Sequence, residues 1–445
     1  MKTITMILFL FVTFIQSYSQ SWSPLGAGTG WGTSLAVYNG ELYAGGVYGI
    51  LKWNGTSWSS LGSGVSGEVD AMIVYNNHLV VGGRFLTAGG INVLYIAQWD
   101  GSVWSDIGGG PDNYVQSMAV YGNELILGGY FATCEGIPAN SIVGYNGTTG
   151  WYSLGNGMGG SQGTVMAMTV YNNELIAVGF FTTASGISAN HIAKWNGTSW
   201  SALGSGINWV VYAVNTYNGN LIAGGLFATA GGIAANDIAK WNGTSWSALG
   251  SGCSGGFYPY VMGLVSYGND LYVGGLYTVA GGMTVNGIAK WNDNSGWSSL
   301  GSGFWSGGSN VFGAYAIGIY NNELIATGIF SSVNNVSAGN IAKWSGLVGI
   351  KTSGEGIPAN FKLYPNYPNP FNPSTKIKFD IQKSSFTNIT VFDILGKEVS
   401  TLVNEQLKSG SYEVNFDGTN LPSGIYFYRI ESGTFTENKK MILLK

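Results

Sequence analysis

The segment Met168–Gly206 reads MTVYNNELIAVGFFTTASGISANHIAKWNGTSWSALGSG, and similar segments recur along most of the chain. Each copy contains four strand-like runs: an apolar run ending in Tyr, a run such as ELIAVGFF, a short HIAKW, and SWSAL. Asn-Asn or Asn-Gly pairs join the first run to the second and the third to the fourth, as two-residue hairpins require. The Tyr that ends the first run stands at seven positions, with spacings of 37 to 53 residues: Tyr38, Tyr75, Tyr121, Tyr171, Tyr217, Tyr267 and Tyr320. The segment therefore predicts a repeated unit of four antiparallel strands.

The number of copies of each run predicts a ring. The first three runs occur seven times, and the last set ends at Asn340–Gly346 without a fourth run after it. The fourth run also occurs seven times, because a solitary copy, SWSPLGAG, lies at Ser21–Gly28. We expect this copy to pair with Ile341–Trp344, which removes the sheet edges that an open array would expose. Residues 20–346 are therefore predicted to form an all-β domain, a seven-bladed β-propeller whose N-terminal strand closes the last blade.

The repeat resembles the kelch type of propeller unit. Gly doublets end the second run in five copies, at Gly45-Gly46, Gly82-Gly83, Gly128-Gly129, Gly224-Gly225 and Gly274-Gly275. The repeat differs from the kelch pattern in having WNG where kelch units have Tyr-Asp-Pro, and the fourth and seventh copies have Val178-Gly179 and Thr327-Gly328. The resemblance implies the fold and no particular activity, because propellers carry many functions.

The composition agrees with many short strands and excludes several other classes. Gly accounts for 72 of 445 residues and charged residues for 9%, beside 16 Trp, 26 Tyr and 20 Phe, which excludes a helix-rich or coiled-coil chain. A hydrophobic content of 45% excludes a disordered chain. Residues 20–346 have a net charge of −7 and residues 347–445 of +2. Since no segment has the Lys and Arg density needed to neutralise phosphates, we expect no nucleic acid partner.

Residues 1–19 are expected to be a cleavable signal peptide. Lys2 precedes an apolar run at Ile4–Ile15, and Ser17-Tyr18-Ser19 provides small residues before Gln20. This run is too short to span a bilayer, and no later run is longer, so we expect no membrane span. Cys134 and Cys253 lie in different repeats and are expected to be free thiols, with a disulfide as the alternative.

After Gly346 the repeats stop, and a linker at 347–360 leads to a Pro-rich segment, YPNYPNPFNPSTKIKF, at Tyr364–Phe379. Alternating runs follow, among them VFDILGKEV at Val391–Val399, SGSYEVNFD at Ser409–Asp417 and LPSGIYFYRI at Leu421–Ile430. The chain ends in KKMILLK at Lys439–Lys445. These runs predict a small Ig-like β-sandwich over residues 361–445.

Together these motifs resemble the type A C-terminal sorting domain of the type IX secretion system of the Bacteroidetes and their relatives. The resemblance implies that an outer-membrane translocon and its processing machinery recognise this domain and usually cleave it. The passenger is then released or attached to surface lipopolysaccharide, so the protein is expected to be secreted or extracellular. The alternative is an ordinary sandwich without a sorting role. The motif residues are Tyr364, Pro365, Asn366, Pro368, Asn369, Pro370, Gly396, Gly410, Tyr412, Gly424, Tyr426, Lys439 and Lys440.

The repeats contain no clear catalytic constellation. Asp70 is the only carboxylate in the expected inner strands, and a glycosidase-type pair would need Glu68 or Asp112 as its partner. His78 and His191 are the only histidines, and His78 stands where other repeats have Glu. With no Cys cluster beside them, we expect no metal site and no other cofactor. We therefore predict that the protein is not an enzyme.

Residues present in most repeats are expected to build the repeat, and its Glu and Lys positions are expected to be solvated. The connections from each fourth run to the next first run differ, and in a propeller they share one face with the connections between second and third strands. One interpretation is a face for glycan or protein ligands, with Asn208, Asn310 and Asp112 as hydrogen-bonding neighbours. The other is that the rings pack beneath their own loops. The aromatic residues concerned are Trp31, Tyr114, Trp209, Phe257, Tyr258, Tyr260, Trp305 and Phe312.

The sequence therefore predicts a secreted or surface-displayed binding or adhesion protein. An exported polysaccharide-active enzyme and a purely structural envelope protein remain as alternatives.

Overall fold

The computed structural model describes residues 21–160, 163–256, 258–307, 312–321, 323–345, 350–352, 358–407, 409–418 and 421–445. They belong to two compact units, Ser21–Leu347 and Val348–Lys445. The described residues form strands, turns and loops without a helix, so this part of the chain contains no helix that could cross a membrane. The predicted signal peptide and most of the predicted linker lie outside the described residues.

The unit Ser21–Leu347 is built from seven four-stranded antiparallel sheets, which we number by the order of their first strands. From the first to the fourth position, the strands of sheet 1 are Gly32–Tyr38, Glu41–Gly46, Gly49–Trp53 and Trp58–Ser60, and those of sheet 2 are Glu68–Tyr75, His78–Arg84, Ile96–Trp99 and Trp104–Ser105. Those of sheet 3 are Val115–Tyr121, Glu124–Gly129, Ile142–Asn146 and Gly150–Ser153, and those of sheet 4 are Thr164–Tyr171, Glu174–Phe180, Ile192–Trp195 and Trp200–Ala202. Those of sheet 5 are Val211–Tyr217, Asn220–Gly225, Ile238–Trp241 and Trp246–Ala248. Those of sheet 6 are Val261–Tyr267, Asp270–Gly275, Ile288–Asn292 and Gly296–Ser299. Those of sheet 7 are Gly313–Tyr320, Glu323–Ile329, Ile341–Trp344 and Trp22–Pro24.

Sheet 7 joins two distant parts of the chain. Trp22–Pro24 pairs antiparallel with Ile341–Trp344, with Trp22 opposite Trp344, as the count of repeats predicts. Trp22 is 2% exposed, and Asn334 Nδ2 donates a hydrogen bond to its carbonyl oxygen at 2.7 Å. We call this pairing the seam.

In sheets 2 to 7, a short hairpin connects the second strand to the third. The paired residues are Thr87–Ala88 with Ile91–Asn92, Thr133–Cys134 with Ile137–Pro138, Thr183–Ala184 with Ile187–Ser188, Thr229–Ala230 with Ile233–Ala234, Val279–Ala280 with Met283–Thr284, and Ser332–Val333 with Val336–Ser337. Each hairpin pairs with the segment that connects the fourth strand of the preceding sheet to the first strand of the hairpin's own sheet. This pairing involves Met158–Gly159, Cys253–Ser254 and Phe304–Trp305, or a single bridge from Val65, Pro111 or Ile207. Sheet 1 differs, because only Val47 and Tyr48 separate its second and third strands.

The first strand of each sheet lies beside the first strands of the preceding and following sheets, and the first strand of sheet 7 lies beside that of sheet 1. The Gly doublets permit this close packing. A Cβ atom on Gly224 would lie 2.4 Å from Val261 Cγ1 in the next sheet, and one on Gly225 would lie 2.2 Å from the carbonyl oxygen of Val210. The second position meets backbone and is Gly in all seven copies, whereas the first meets a side chain and is Val178 in sheet 4 and Thr327 in sheet 7.

A tryptophan in the fourth strand of each sheet bonds to the preceding sheet. Its indole Nε1 donates to a backbone carbonyl just after the preceding fourth strand, at 2.8 to 3.1 Å. Sheet 1 bonds in this way to the fourth strand of sheet 7, so the seven bonds form a closed cycle. The pairs are Trp22 to Leu300, Trp58 to Leu25, Trp104 to Leu61, Trp151 to Gly108, Trp200 to Leu154, Trp246 to Leu203, and Trp297 to Leu249.

Hydrophobic clusters fill the interfaces between successive sheets, and one joins sheet 7 to sheet 1 through Leu25, Leu42 and Ile325. Cys134 and Cys253 are buried in two such clusters and are free thiols. The repeated Lys and Glu positions are not simply solvated, which corrects the expectation from sequence. They form cross-strand ion pairs, for example Lys194 Nζ to Glu174 Oε2 at 2.8 Å. The pairs form because the third strand lies directly beside the second.

The unit Val348–Lys445 contains two four-stranded antiparallel sheets that share one core. In order across each sheet, the strands are Ile350–Thr352, Gly410–Asp417, Ser374–Ile381 and Lys362–Leu363; and Glu398–Leu407, Ser385–Phe392, Gly424–Ser432 and Phe435–Leu443. Alternate residues of Ser374–Ile381 are buried, as expected for strands with one face in the core.

Candidate functional site

Each first strand of the seven sheets contains a β-bulge near its start. The bulge leaves one residue without a partner on the second strand, and the seven sheets have five residue types at this position. The seven residues are Thr33, Asp70, Gln116, Met166, Tyr212, Met262 and Tyr315. Alignment of the repeats on the turn Tyr singles out the small residue that follows each of them, and of the seven only Asp70 is a candidate from sequence.

The bulge residues line one cavity of about 490 Å³, which we call the central cavity. The same three positions of all seven first strands form its wall, for example Thr33–Leu35 in sheet 1 and Tyr212–Val214 in sheet 5. Since equivalent residues meet there, the first strands pass the cavity in the same direction. The connections that enter these strands therefore lie at one end of the cavity, together with the hairpins that pair with them.

One side of the central cavity is charged. Arg84 Nε lies 3.3 Å from Asp70 Oδ2 and 3.5 Å from Glu68 Oε2, so one guanidinium bridges two carboxylates. Burial, reinforced by the Glu68 charge, raises the pKa of Asp70 to about 6, and Arg84 opposes the shift. The Arg84 guanidinium also lies over the Tyr114 ring, 4.5 Å from its centroid, and Tyr114 stacks on Tyr130.

Sheets 5 to 7 give the cavity an aromatic side. The rings of Tyr212 and Tyr260 lie 5.4 Å apart. Burial raises the pKa of both phenols, and burial together with Tyr260 raises the pKa of Tyr315 to about 12. All three phenols are therefore neutral at pH 7 and can both donate and accept hydrogen bonds.

A further polar atom on the wall lacks a partner. Gln116 Oε1 is buried and accepts no hydrogen bond from the described residues. A buried acceptor without a donor costs about 1–3 kcal/mol, which a ligand or water that donates a hydrogen bond would recover.

The predicted aromatic residues fall into exposed and buried groups. Trp31, Trp209, Tyr258 and Trp305 are 49% to 63% exposed. Tyr114 and Tyr260 are half-buried beside the central cavity. Phe312 is 9% exposed and packs in the cluster between sheets 6 and 7, so at this ligand-binding candidate the ring packs in the fold and presents no free face. Phe257 lies outside the described residues.

The predicted polar neighbours of these rings have structural partners. Asn208 Oδ1 accepts hydrogen bonds from the backbone N–H groups of Ala228 and Thr229 at 3.0 and 2.8 Å. Asp112 binds the corresponding groups of Ala132 and Thr133. Both side chains therefore hold a hairpin in place, which also makes Asp112 unavailable as the partner of Asp70. Asn310 lies outside the described residues.

The two histidines lie in different sheets and have different surroundings. His78 begins the second strand of sheet 2, where its Nδ1 lies 2.8 Å from the carbonyl oxygen of Asn76. His191 is buried in sheet 4, stacks on Phe180 and lies beside Trp209. Burial lowers the pKa of His191. Within the described ranges, no group of three or more His, Cys, Asp or Glu side chains could hold a metal ion.

In the C-terminal unit, several motif residues hold the Pro-rich segment against the sheets. Asn366 is 3% exposed, and its Nδ2 donates to Pro368 O at 3.1 Å and Thr375 Oγ1 at 3.0 Å. Asn369 accepts a hydrogen bond from the backbone of Ile442 and donates one to Lys440 O. Tyr364 OH donates to Asp380 Oδ2 at 2.7 Å. Pro365, Pro368 and Pro370 are exposed along the same segment.

Other motif residues shape turns and edges. Gly396 has a φ of 79° in the turn after Phe392, a conformation that favours Gly. Gly410 lies against the ring of Tyr412, which stacks on Phe379 at 5.5 Å. Tyr426, in the strand that starts at Gly424, donates its hydroxyl proton to Pro422 O. Lys439 pairs with Glu437 at 2.7 Å, and Lys440 is exposed.

The family match found by comparison with known proteins lies in this C-terminal unit. Residues 365–444 match the family described as the secretion system C-terminal sorting domain. This domain marks substrates of type IX secretion, and the protein is exported to the cell surface or the extracellular space. The kelch resemblance of the repeats is not confirmed by a family match.

No curated protein matches the sequence. Among solved structures, the chain is similar to PorZ, "an essential bacterial surface component of the type-IX secretion system of human oral-microbiomic Porphyromonas gingivalis", with 15% identity and a TM-score of 0.47 over 94% of this chain and 60% of PorZ. A Salmonella alpha-2-macroglobulin mutant gives 11% identity and a TM-score of 0.17 over 97% of this chain and 26% of that protein. The chain thus covers less than two thirds of either structure.

Proposed function

We propose that the protein is a secreted or surface-displayed binding protein whose Ser21–Leu347 unit is a seven-bladed β-propeller. Three observations support the propeller: the seven equivalent sheets, the closed cycle of indole-to-carbonyl hydrogen bonds, and the hydrophobic cluster between sheets 7 and 1. At the seam, Trp22–Pro24 covers the edge of Ile341–Trp344 that would otherwise be unpaired.

The Val348–Lys445 unit serves as a type A sorting domain with an Ig-like β-sandwich fold. Its match to the sorting-domain family and the ordered contacts of Asn366 and Asn369 support this assignment. Its partners are the type IX translocon and the associated processing machinery.

The ligand of the propeller is a glycan or a protein segment that binds at the loop end of the central cavity. The observation that carries this proposal is that one bulge residue from each sheet, of five residue types in all, lines the cavity, while Trp31, Trp209 and Trp305 are exposed on connections entering the first strands. Indole faces stack on the C–H faces of sugar rings and on apolar side chains. Gln116 Oε1 and the Asp70 carboxylate supply acceptors for ligand hydroxyl groups.

A glycan array and a polysaccharide pull-down with the full chain would test this proposal. We expect selective binding by the native chain and loss of binding when Trp31, Trp209 and Trp305 are together replaced by Ala. The control is Tyr367→Ala, which removes an 80% exposed ring from the C-terminal unit and should leave binding unchanged. A folded native chain that binds no glycan would favour a protein partner or a structural role.

The charged side of the cavity favours one second candidate, a polysaccharide-cleaving enzyme. Asp70, with its pKa near 6, and Glu68 are carboxyl groups in different environments, as acid–base chemistry on glycosidic bonds requires. Release of reducing sugar by the native chain, abolished by Asp70→Asn, would support this candidate. Binding without cleavage would support the non-enzymatic function.

A further inference from the structure

A second pocket lies among the loops of sheets 5 and 6, and it shares no lining residue with the central cavity. This side pocket has a volume of about 470 Å³, and its wall includes Trp209, Leu226, Phe227, Asp237 and Pro259. Its lining is mainly apolar. One face of the Trp209 ring system is supported by sheet 4, where Phe180 lies 5.6 Å and His191 6.1 Å from it between ring centroids.

Asp237 is the one acidic residue of the side pocket. It is 6% exposed, and its Oδ1 accepts a hydrogen bond from the backbone N–H of Phe227 at 3.1 Å. Among the described residues, its Oδ2 has no hydrogen-bond partner and the carboxylate belongs to no ion pair. Burial raises its pKa to about 7. Oδ2 is not one of the fully buried atoms that lack a partner, so it faces the solvent of the side pocket, where a donor or a cation can reach it.

The turn around Asp237 does not itself require a carboxylate. The equivalent residue in each of sheets 2 to 7 has a positive φ and directly precedes the third strand; the other five are Tyr95, Ser141, His191, Gly287 and Asn340. Asn340 accepts the same hydrogen bond, from the backbone N–H of Phe330, at the same 3.1 Å. Because the amide of Asn340 accepts this hydrogen bond in sheet 7, the bond does not require the negative charge of Asp237.

We propose that the side pocket binds a primary ammonium group on an apolar stem, with the ammonium at Asp237 and the stem along Trp209. An ammonium supplies both the charge and the hydrogen-bond donors that Asp237 Oδ2 lacks. The Trp209 ring and the apolar wall accommodate the methylene groups of the stem. Lysine side chains and alkyl polyamines share this chemistry.

The other titratable groups near the pocket do not compete for Asp237. Burial raises the pKa of the Cys253 thiol well above its ordinary value, and the pKa of Tyr277 behind it is raised in the same way, so both are neutral. His191, on the far side of Trp209, is neutral above pH 7 because burial lowers its pKa. The affinity for an ammonium should therefore rise as Asp237 ionises between pH 6 and 8, since the ammonium stays charged up to about pH 10.

The test is an NMR titration of the full chain with n-butylamine, and with n-butanol as a neutral probe of similar stem, at pH 6 and pH 8.5. We expect about tenfold tighter binding of butylamine at the higher pH and no pH effect for butanol. Asp237→Asn, which gives sheet 5 the residue that sheet 7 has at this position, should fold normally and remove both the pH effect and the preference for the amine. Trp209→Ala should weaken both probes. A chain that binds both probes equally at pH 8.5, or an Asp237→Asn variant with unchanged butylamine affinity, would overturn the proposal.

A second set of titrations identifies the source of the ammonium. Nα-acetyl-lysine amide and putrescine are compared at pH 8.5, and stronger binding of the first indicates a protein ligand. Trp209 takes part in both proposals, so Asp237→Asn is the variant that separates them. A chain that binds glycans and no amine contradicts only the side-pocket proposal.

Discussion

The two units of this protein use their sequences in opposite ways. In Ser21–Leu347, the residues shared by the repeats build the sheets and their interfaces, as the Trp200 bond to Leu154 illustrates. The candidate sites use positions where the repeats differ, such as Asp70 at a bulge and Asp237 before a third strand. In Val348–Lys445 nothing repeats, and motif residues such as Asn366 are buried in the fold. The residues shared by the repeats thus build the first unit, while the motif of the second unit combines buried residues such as Asn366 with exposed ones such as Pro368.

The seam completes the set of seven sheets in the first unit. Its removal should therefore lower the stability of that unit more than any other change considered below. A chain that lacks Ser21–Gly28 loses the fourth strand of sheet 7 and the buried Trp22. We expect a sharp fall in the melting temperature of the first unit and self-association through the exposed edge of Ile341–Trp344. Calorimetry and light scattering measure the two effects. Trp31→Ala, which removes an exposed ring, is the control, and a deletion variant as stable as the native chain would contradict the closed ring.

Asn366→Ala tests whether the motif of the second unit is scaffold. The change removes two side-chain hydrogen bonds inside the fold, and we expect a loss of about 2–3 kcal/mol from the free energy of unfolding of this unit. Hydrogen exchange of peptides from residues 361–445 measures it, since all Trp residues lie in the first unit. The neighbouring Tyr367→Ala should change exchange little. If Asn366→Ala were equally silent, the motif would act only as a recognition signal.

Asp70→Asn tests whether a residue at a position where the repeats differ lowers the stability of the first unit. A raised acid pKa means that the native state holds its proton more tightly, so stability falls as pH rises from about 4 through the native pKa of about 6. With Glu68 and Arg84 partly solvated, we expect this fall to be about 1–2 kcal/mol and to be absent in Asp70→Asn. Urea denaturation at pH 4 and pH 8 measures it. Met166→Leu, at the same bulge position in sheet 4, should keep the native pH profile.

The smallest effect is expected at a shared surface position. Lys194→Met breaks the ion pair with Glu174, whose two side chains are 34% and 26% exposed. The expected loss of stability is below about 1 kcal/mol and should vanish in 1 M salt. Trp200→Ala, in the adjacent strand, should cost about 3–5 kcal/mol in the same denaturation experiment. A large loss of stability in Lys194→Met that persists in 1 M salt would mean that the shared polar positions also stabilise the fold.

The sequence was sufficient to predict the strands, the hairpins and the pairing of Trp22–Pro24 with Ile341–Trp344. The reason is that the same order of strands and turns occurs in seven copies, which can be compared with one another. It did not reveal the bulges, since an extra residue becomes visible only once the partner strand fixes the register. The roles of Asn208 and Asp112 also depend on tertiary structure, because the hairpin that each binds lies about 20 residues further along the chain. Asp237 had a sequence signal, the variable residue before each third run, that the alignment on the turn Tyr did not use.

The seam also imposes an order in time. Sheets 1 to 6 are each formed from a continuous stretch of chain, and each can form once its own residues are available. Sheet 7 must wait until Ile341–Trp344 can reach a strand that emerged more than 300 residues earlier. Such long-range pairing is slow compared with local hairpin formation. Trp22–Pro24, the first strand of the unit in the sequence, is therefore expected to pair last. The seam can form only after all seven repeats are present.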